Sequence, residues 1–175
     1  MSNQIGAKNY KQFVYVIGFI LIILVVFVMM AKNQNMIVVK DGNANKTPYE
    51  LVGGKYQDSD CGMVINDMKF VSQVVSNDGK TWFFHDHGGM ANWLKNKPLK
   101  TTATIWVMSL DTKIYIDGRK AWYSRIDTTP MGYGFGAYEN KKDGLIDFEE
   151  MFLHMVRGEH LKNPQIRASL LKEIK

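Results

Sequence analysis

Residues 13–31, FVYVIGFILIILVVFVMMA, run for 19 positions without a charge, and nothing else in the chain constrains its architecture as strongly. As a helix this run would rise roughly 28 Å, about the hydrocarbon thickness of a bilayer. A secretory signal has a shorter apolar region, about 7–15 residues, and ends in a small-x-small cleavage site. This run ends Val28-Met29-Met30-Ala31, with Met29 where a small residue is needed. Lipoprotein processing needs a cysteine directly after the run, and the only cysteine is Cys61. The run therefore reads as an uncleaved transmembrane anchor behind a leader, residues 1–12. That leader holds Lys8 and Lys11 and no acid, so the positive-inside rule puts it in the cytoplasm. The rest of the chain would lie outside. In a bacterium that predicts a single-pass inner-membrane protein with its C-terminal domain in the periplasm.

The 144 residues beyond the anchor carry 20 basic and 17 acidic side chains, well mixed, which argues against a nucleic-acid partner. A lone cysteine excludes an intrachain disulfide framework and a CxxC zinc site. Residues 32–57 are polar and read as a spacer, followed by a domain at 58–175. Within it one pattern occurs twice. MVINDMKFVSQVV and KTWFFHD read as strands, GGMANWLKN as a short helix and TTATIWVMS as a strand. TKIYIDGRKAWYSRID then reads as strands around an Asp117-Gly118 hairpin turn, GYGFGAYE as a strand and DFEEMFLHMVRGEHL as a helix. The expectation is an α+β domain of two tandem ββαβ-like halves, about 61–110 and 111–175, with residues 163–175 as a further amphipathic helix.

Eight methionines fall in this body. Met108, Met151 and Met155 sit in a β-rich run or at helical spacing and read as core filler. Met63 and Met131 differ, because CGM at 61–63 and TTPMGYG at 128–134 are glycine-containing turns that can present a thioether to an ion. Cys61, flanked by Asp58, Ser59, Asp60 and Gly62, is either a small buried hydrophobe or a metal-capped thiolate. Thiolate with thioether donors favours Cu(I) over Zn(II). His85-Asp86-His87 joins a strand to a helix. The two imidazoles are metal donors on one side if the strand persists; otherwise Asp86 caps the helix and both histidines are solvated. His154 and His160 read as surface or packing residues.

Two further patterns are weaker. ENKKDGLIDFEEM at 139–151 has the glycine and final glutamate of a calcium loop, but Lys141 stands where a carboxylate ligand belongs. A turn at Asp143-Gly144 followed by an Asp147/Glu150 capping box describes it better. A Cys-His-Asp hydrolase built from Cys61, His85 or His87, and Asp86 lacks a helix-borne nucleophile signature.

The ordered set CGM, FHDHGGM and TTPMG resembles the NosL family, accessory proteins of nitrous oxide reductase that act as periplasmic copper chaperones in denitrification. The resemblance covers about residues 58–155. It implies two tandem ββαβ-type halves related in fold to organomercurial lyase, and Cu(I) held by Cys61 with Met63 and Met131 as thioether partners. It implies a metallochaperone, not an enzyme, that passes copper to a cuproenzyme such as nitrous oxide reductase, with a membrane transporter complex as a further partner. The chain departs from the family in two ways. A transmembrane helix stands where the family has a lipid anchor. The family's FDD turn, with a cysteine before the methionine, reads Phe84-His85-Asp86 and Gly89-Met90, so that His85 and His87 offer added nitrogen donors. Outside the resemblance, a thiol-dependent or lyase-like enzyme using Cys61, or a structural interaction module, are the alternatives.

Overall fold

The computed structural model describes residues 4–32 and 36–172, which form two units, one ending at Asn35 and one beginning at Met36. The first is a single helix, α1 (Gln4–Lys32). Its stretch Tyr10–Met30 has a mean hydropathy of 3.2 and is long and apolar enough to cross a membrane. No helix break marks the expected leader–anchor boundary, and residues 1–3 of the leader lie outside the described residues.

The second unit is built on a five-stranded antiparallel sheet in the order β1-β5-β4-β6-β7. Its strands are β1 (Val39–Lys40), β4 (Ser72–Val75), β5 (Thr81–Phe84), β6 (Thr104–Met108) and β7 (Tyr115–Asp117). A hairpin of β2 (Tyr56–Gln57) and β3 (Val64–Ile65) stands apart from it, as do β8 (Trp122–Tyr123) and β9 (Ala137–Tyr138). The helices are α2 (His87–Leu94), α3 (Phe148–Arg157) and α4 (Pro164–Lys172). The mixed α+β content matches expectation. The ββαβ order appears in β4-β5-α2-β6, whereas β7 joins that same sheet instead of opening one of its own. The turn at Asp117-Gly118 forms, but its flanking strands pair with different sheets, β7 with β6 and β8 with β9.

Strand pleat explains why both faces of the sheet are covered. Side chains alternate, so Phe83 and Phe84 point opposite ways and both are fully buried. Phe84 joins Val74, Ile105 and Val107 beneath α2 and α3, against Met90, Leu94, Met151 and Phe152. Phe83 joins Val71, Tyr56 and Ile65 on the other face. Each such burial contributes about 1.5–3 kcal/mol. Met151 and Met155 are buried in the first cluster, as core filler should be, but Met108 is only half-buried and belongs to neither cluster, because it falls on the more open face of β6.

The stretch expected to be a spacer belongs, from Met36 onward, to the fold. Val39 and Lys40 pair with Trp82 and Thr81. The Gln73 side chain clamps the Tyr49 backbone at both ends, at 2.9 and 2.7 Å, and the Trp106 indole donates to the Lys46 carbonyl at 2.7 Å. Phe83 and Val71 need a cover, and this polar-looking segment supplies it with Ile37, Tyr49 and Leu51.

Candidate metal centre

The β2–β3 hairpin ends in a six-residue loop, 58–63, that holds Cys61 at the surface. Asp58 organises it. Its Oδ1 accepts the backbone N–H groups of Asp60 and Cys61 at 2.7 and 3.0 Å, a local side-chain turn that an aspartate readily makes. The chain then reverses at Gly62, whose φ of +75° suits glycine. Ser59 donates its N–H to the Phe83 carbonyl at 2.8 Å, which fixes the loop against the end of β5.

His85, the first residue after β5, closes the group. Its backbone N–H and its Nδ1 both meet Asp58 Oδ2, at 2.8 and 2.6 Å, and Nδ1 lies 3.8 Å from the Cys61 sulfur. Ligand atoms of Asp58, Cys61 and His85 all lie within 4.8 Å of one another. Both Asp58 oxygens already take two hydrogen bonds each, so this carboxylate is better placed to hold the loop and the imidazole than to bind an ion itself.

The electrostatics agree. Burial would raise Asp58, but hydrogen bonds from the His85 side chain and from three backbone groups outweigh it and hold the carboxyl below its ordinary range. The same contact raises His85 against the opposing effect of burial. The Cys61 thiol is pushed up, by burial first and then by the charges of Asp58 and Asp60, against a backbone hydrogen bond from Met63. Without a cation the sulfur therefore keeps its proton, and a bound metal would displace it.

The expected donors do not all share this place. Met63 is adjoining and exposed, with its carbonyl accepting the Asp58 N–H at 2.8 Å. Met131 is half-buried, packed against the main core, and its N–H donates to Asp86 Oδ2 at 2.8 Å, one residue from His85. His87 lies away from the group. The same-side expectation required a strand through both histidines, but β5 ends at Phe84 and α2 begins at His87. Nor is His87 solvated. It is fully buried, its Nδ1 bonded to the Ser72 hydroxyl at 2.7 Å and its ring set edge-on to Tyr123. Its Nε2 has no hydrogen-bond partner among the described residues. Asp86 does cap α2, accepting the Gly88 N–H at 2.8 Å.

Asp58 was not anticipated as part of the site; the legible signal was an aspartate three residues before a Cys-Gly turn. The apparent calcium loop resolves into the expected cap, Asp147 accepting the Glu150 N–H at 2.9 Å, while the Glu150 carboxylate lies 3.7 Å from His154 Nε2. The Cys-His-Asp relay expected through Asp86 does not form, since Asp86 caps α2, and with Asp58 as the acid the group has the composition of a relay but not its wiring. A general base faces its nucleophile and its orienting acid through opposite ring nitrogens, and here Nδ1 serves both.

No family model matches the chain, and no curated protein matches it.

Proposed function

We propose that this chain is a membrane-anchored metallochaperone of the NosL type, whose cargo is Cu(I) and whose first donor is Cys61. The observation that carries this is the exposed Cys61 thiol, 3.8 Å from the His85 imidazole. The Cys61 sulfur, with the Met63 thioether alongside, is a soft donor pair that suits Cu(I), and because the His85 Nδ1–H is engaged by Asp58, only Nε2 of that ring is left to coordinate. Met131, on the loop tied to Asp86, is the second thioether that the motif resemblance assigns. The two halves of the domain are read as relatives, the second with its strand order altered.

The function is transfer and not turnover. A surface site with few donors lets a recipient's ligands enter beside the exposed thiol and take the ion by exchange. Helix α1 anchors the body, with the Lys8 and Lys11 end in the cytoplasm and the copper site in the periplasm. The recipient is a cuproenzyme, nitrous oxide reductase on the strength of the motifs, with a membrane transporter complex as a further partner. Full-length protein purified anaerobically in detergent from copper-replete cells should carry copper, and Cys61→Ser should carry none. Equal copper in both would refute the reading.

A further inference from the structure

The length of chain between the apolar helix and the folded body limits where the body can go. A spacer over residues 32–57 would extend up to about 90 Å. Instead the fold takes in the chain from Met36 onward, six positions past Met30, where the apolar stretch ends. Six residues reach at most about 21 Å. A compact domain of this length is roughly 36 Å across, so a body held at Met36 cannot turn that end away from a bilayer.

Met36 enters beside one end of the β2–β3 hairpin. The Ile37 N–H donates to the Lys55 carbonyl at 2.9 Å and the Gln57 N–H to the Ile37 carbonyl at 3.0 Å, so the entering chain runs parallel to β2. The residues level with Met36 are therefore those of the turn before β2, Val52-Gly53-Gly54-Lys55. In it the Lys55 N–H donates to the Val52 carbonyl at 3.2 Å and Gly54 takes a φ of +79°. The Gly54 N–H donates to the Ile65 carbonyl at 3.0 Å, which pins the turn to β3. All four residues are exposed, Val52 by 53%. An apolar side chain and an ammonium on one turn suit the boundary between lipid headgroups and acyl chains.

Resting on the anchor reading above, we propose that the Val52–Lys55 turn seats the body on the surface of the phospholipid bilayer. Val52 enters the headgroup boundary and Lys55 meets lipid phosphate. The short tether makes this contact intramolecular, so a weak one is enough. The other end of the hairpin then points outward. Three residues of nearly extended chain, about 10 Å, separate Lys55 from Asp58. The Cys61 loop thus stands clear of the headgroups, within reach of a partner working at the same surface.

The test uses the full-length chain in Cys61→Ser background, reconstituted into vesicles of phosphatidylethanolamine and phosphatidylglycerol. A polarity-sensitive dye is attached at Val52→Cys or, for comparison, at Asp143→Cys in the exposed turn before α3. The dye at 52 should emit at shorter wavelength than the dye at 143 and be quenched less by aqueous iodide. Inserting 20 Gly/Ser residues after Gln34 should remove most of that protection. Equal quenching at 52 and 143, in a protein that resists carbonate washing, would overturn the seating and leave the anchor standing. Protection at 52 undiminished by the insertion would overturn the tether as its cause. Protein that washes off the vesicles would overturn both this inference and the anchor reading.

Discussion

Two histidines two positions apart have opposite fates, and both are measurable. His87 is sealed in the core, and burial pushes its pKa down to about 3 from 6.5. The unfolded chain then binds a proton that the folded chain refuses, so stability falls as pH drops below about 6.5, at roughly 1.4 kcal/mol per pH unit from this group. Urea unfolding between pH 7 and 5 should show that slope flattened in His87→Gln; parallel slopes would mean that the ring is not sealed. His85 runs the other way. Its folded pKa is raised by Asp58, so its contribution is full below 6.5 and is lost as pH rises through the folded value. Asp58 is held low, so its contribution is present above the ordinary 3.8 and is lost as pH falls through its folded value. In metal-free protein the stability gap between the parent and Asp58→Asn should therefore be widest between those limits, near about pH 5, and narrow toward alkaline pH. A gap that widens toward pH 9 would contradict the pairing. The sequence exposed both imidazoles as donors, but not that the chain leaves the strand between them.

At the scale of elements, the N-terminus of α2 carries the tightest packing near the site. A Cβ added at Gly88 would come within 2.6 Å of Tyr133 Cβ, whereas one at Gly89 would meet only ordinary contacts, Asp60 Oδ2 and Asp86 Cβ, both at 3.8 Å. Gly88→Ala should then cost about 1–3 kcal/mol through forced displacement of the Tyr133 loop. Gly89→Ala should be neutral or stabilising by up to about 1 kcal/mol, since alanine favours the helix. Thermal melts of the two variants decide it, and equal shifts would contradict the close approach. Helices α2 and α3 were legible because their apolar spacing and caps agree: Asp86 and Asp147 at the starts, Gly158 with φ +72° at the end of α3. The hairpin β2–β3 was not. Its strands are two residues long, too short for alternation to register, and their partners are set by the need to cover Phe83 and Val71. The same cause hid the folded role of the 36–57 segment, whose polar composition resembles a tether.

At the scale of the whole molecule, the chain divides into an apolar helix and a body that begins at Met36. The helix was plain in the sequence because a charge-free run of bilayer length needs no tertiary context. The site was only half legible: Cys61 and the turn were visible, while Asp58 acquires its role only when β5 brings His85 back beside the hairpin. The protein should stay in the membrane fraction after carbonate washing; recovery of a form beginning near Lys32 in soluble extract would contradict the anchor. The proposed copper site is tested most directly by competition against a Cu(I) chelator under anaerobic conditions, run on the full-length protein in detergent. Cu(I) should bind far more tightly than Zn(II). Cys61→Ser should lose most of that affinity, and His85→Ala and Met63→Leu part of it, with the Met63→Leu melt unchanged because that side chain is exposed. If Cys61→Ser held Cu(I) as tightly as the parent, the loop at 58–63 would not be the metal centre.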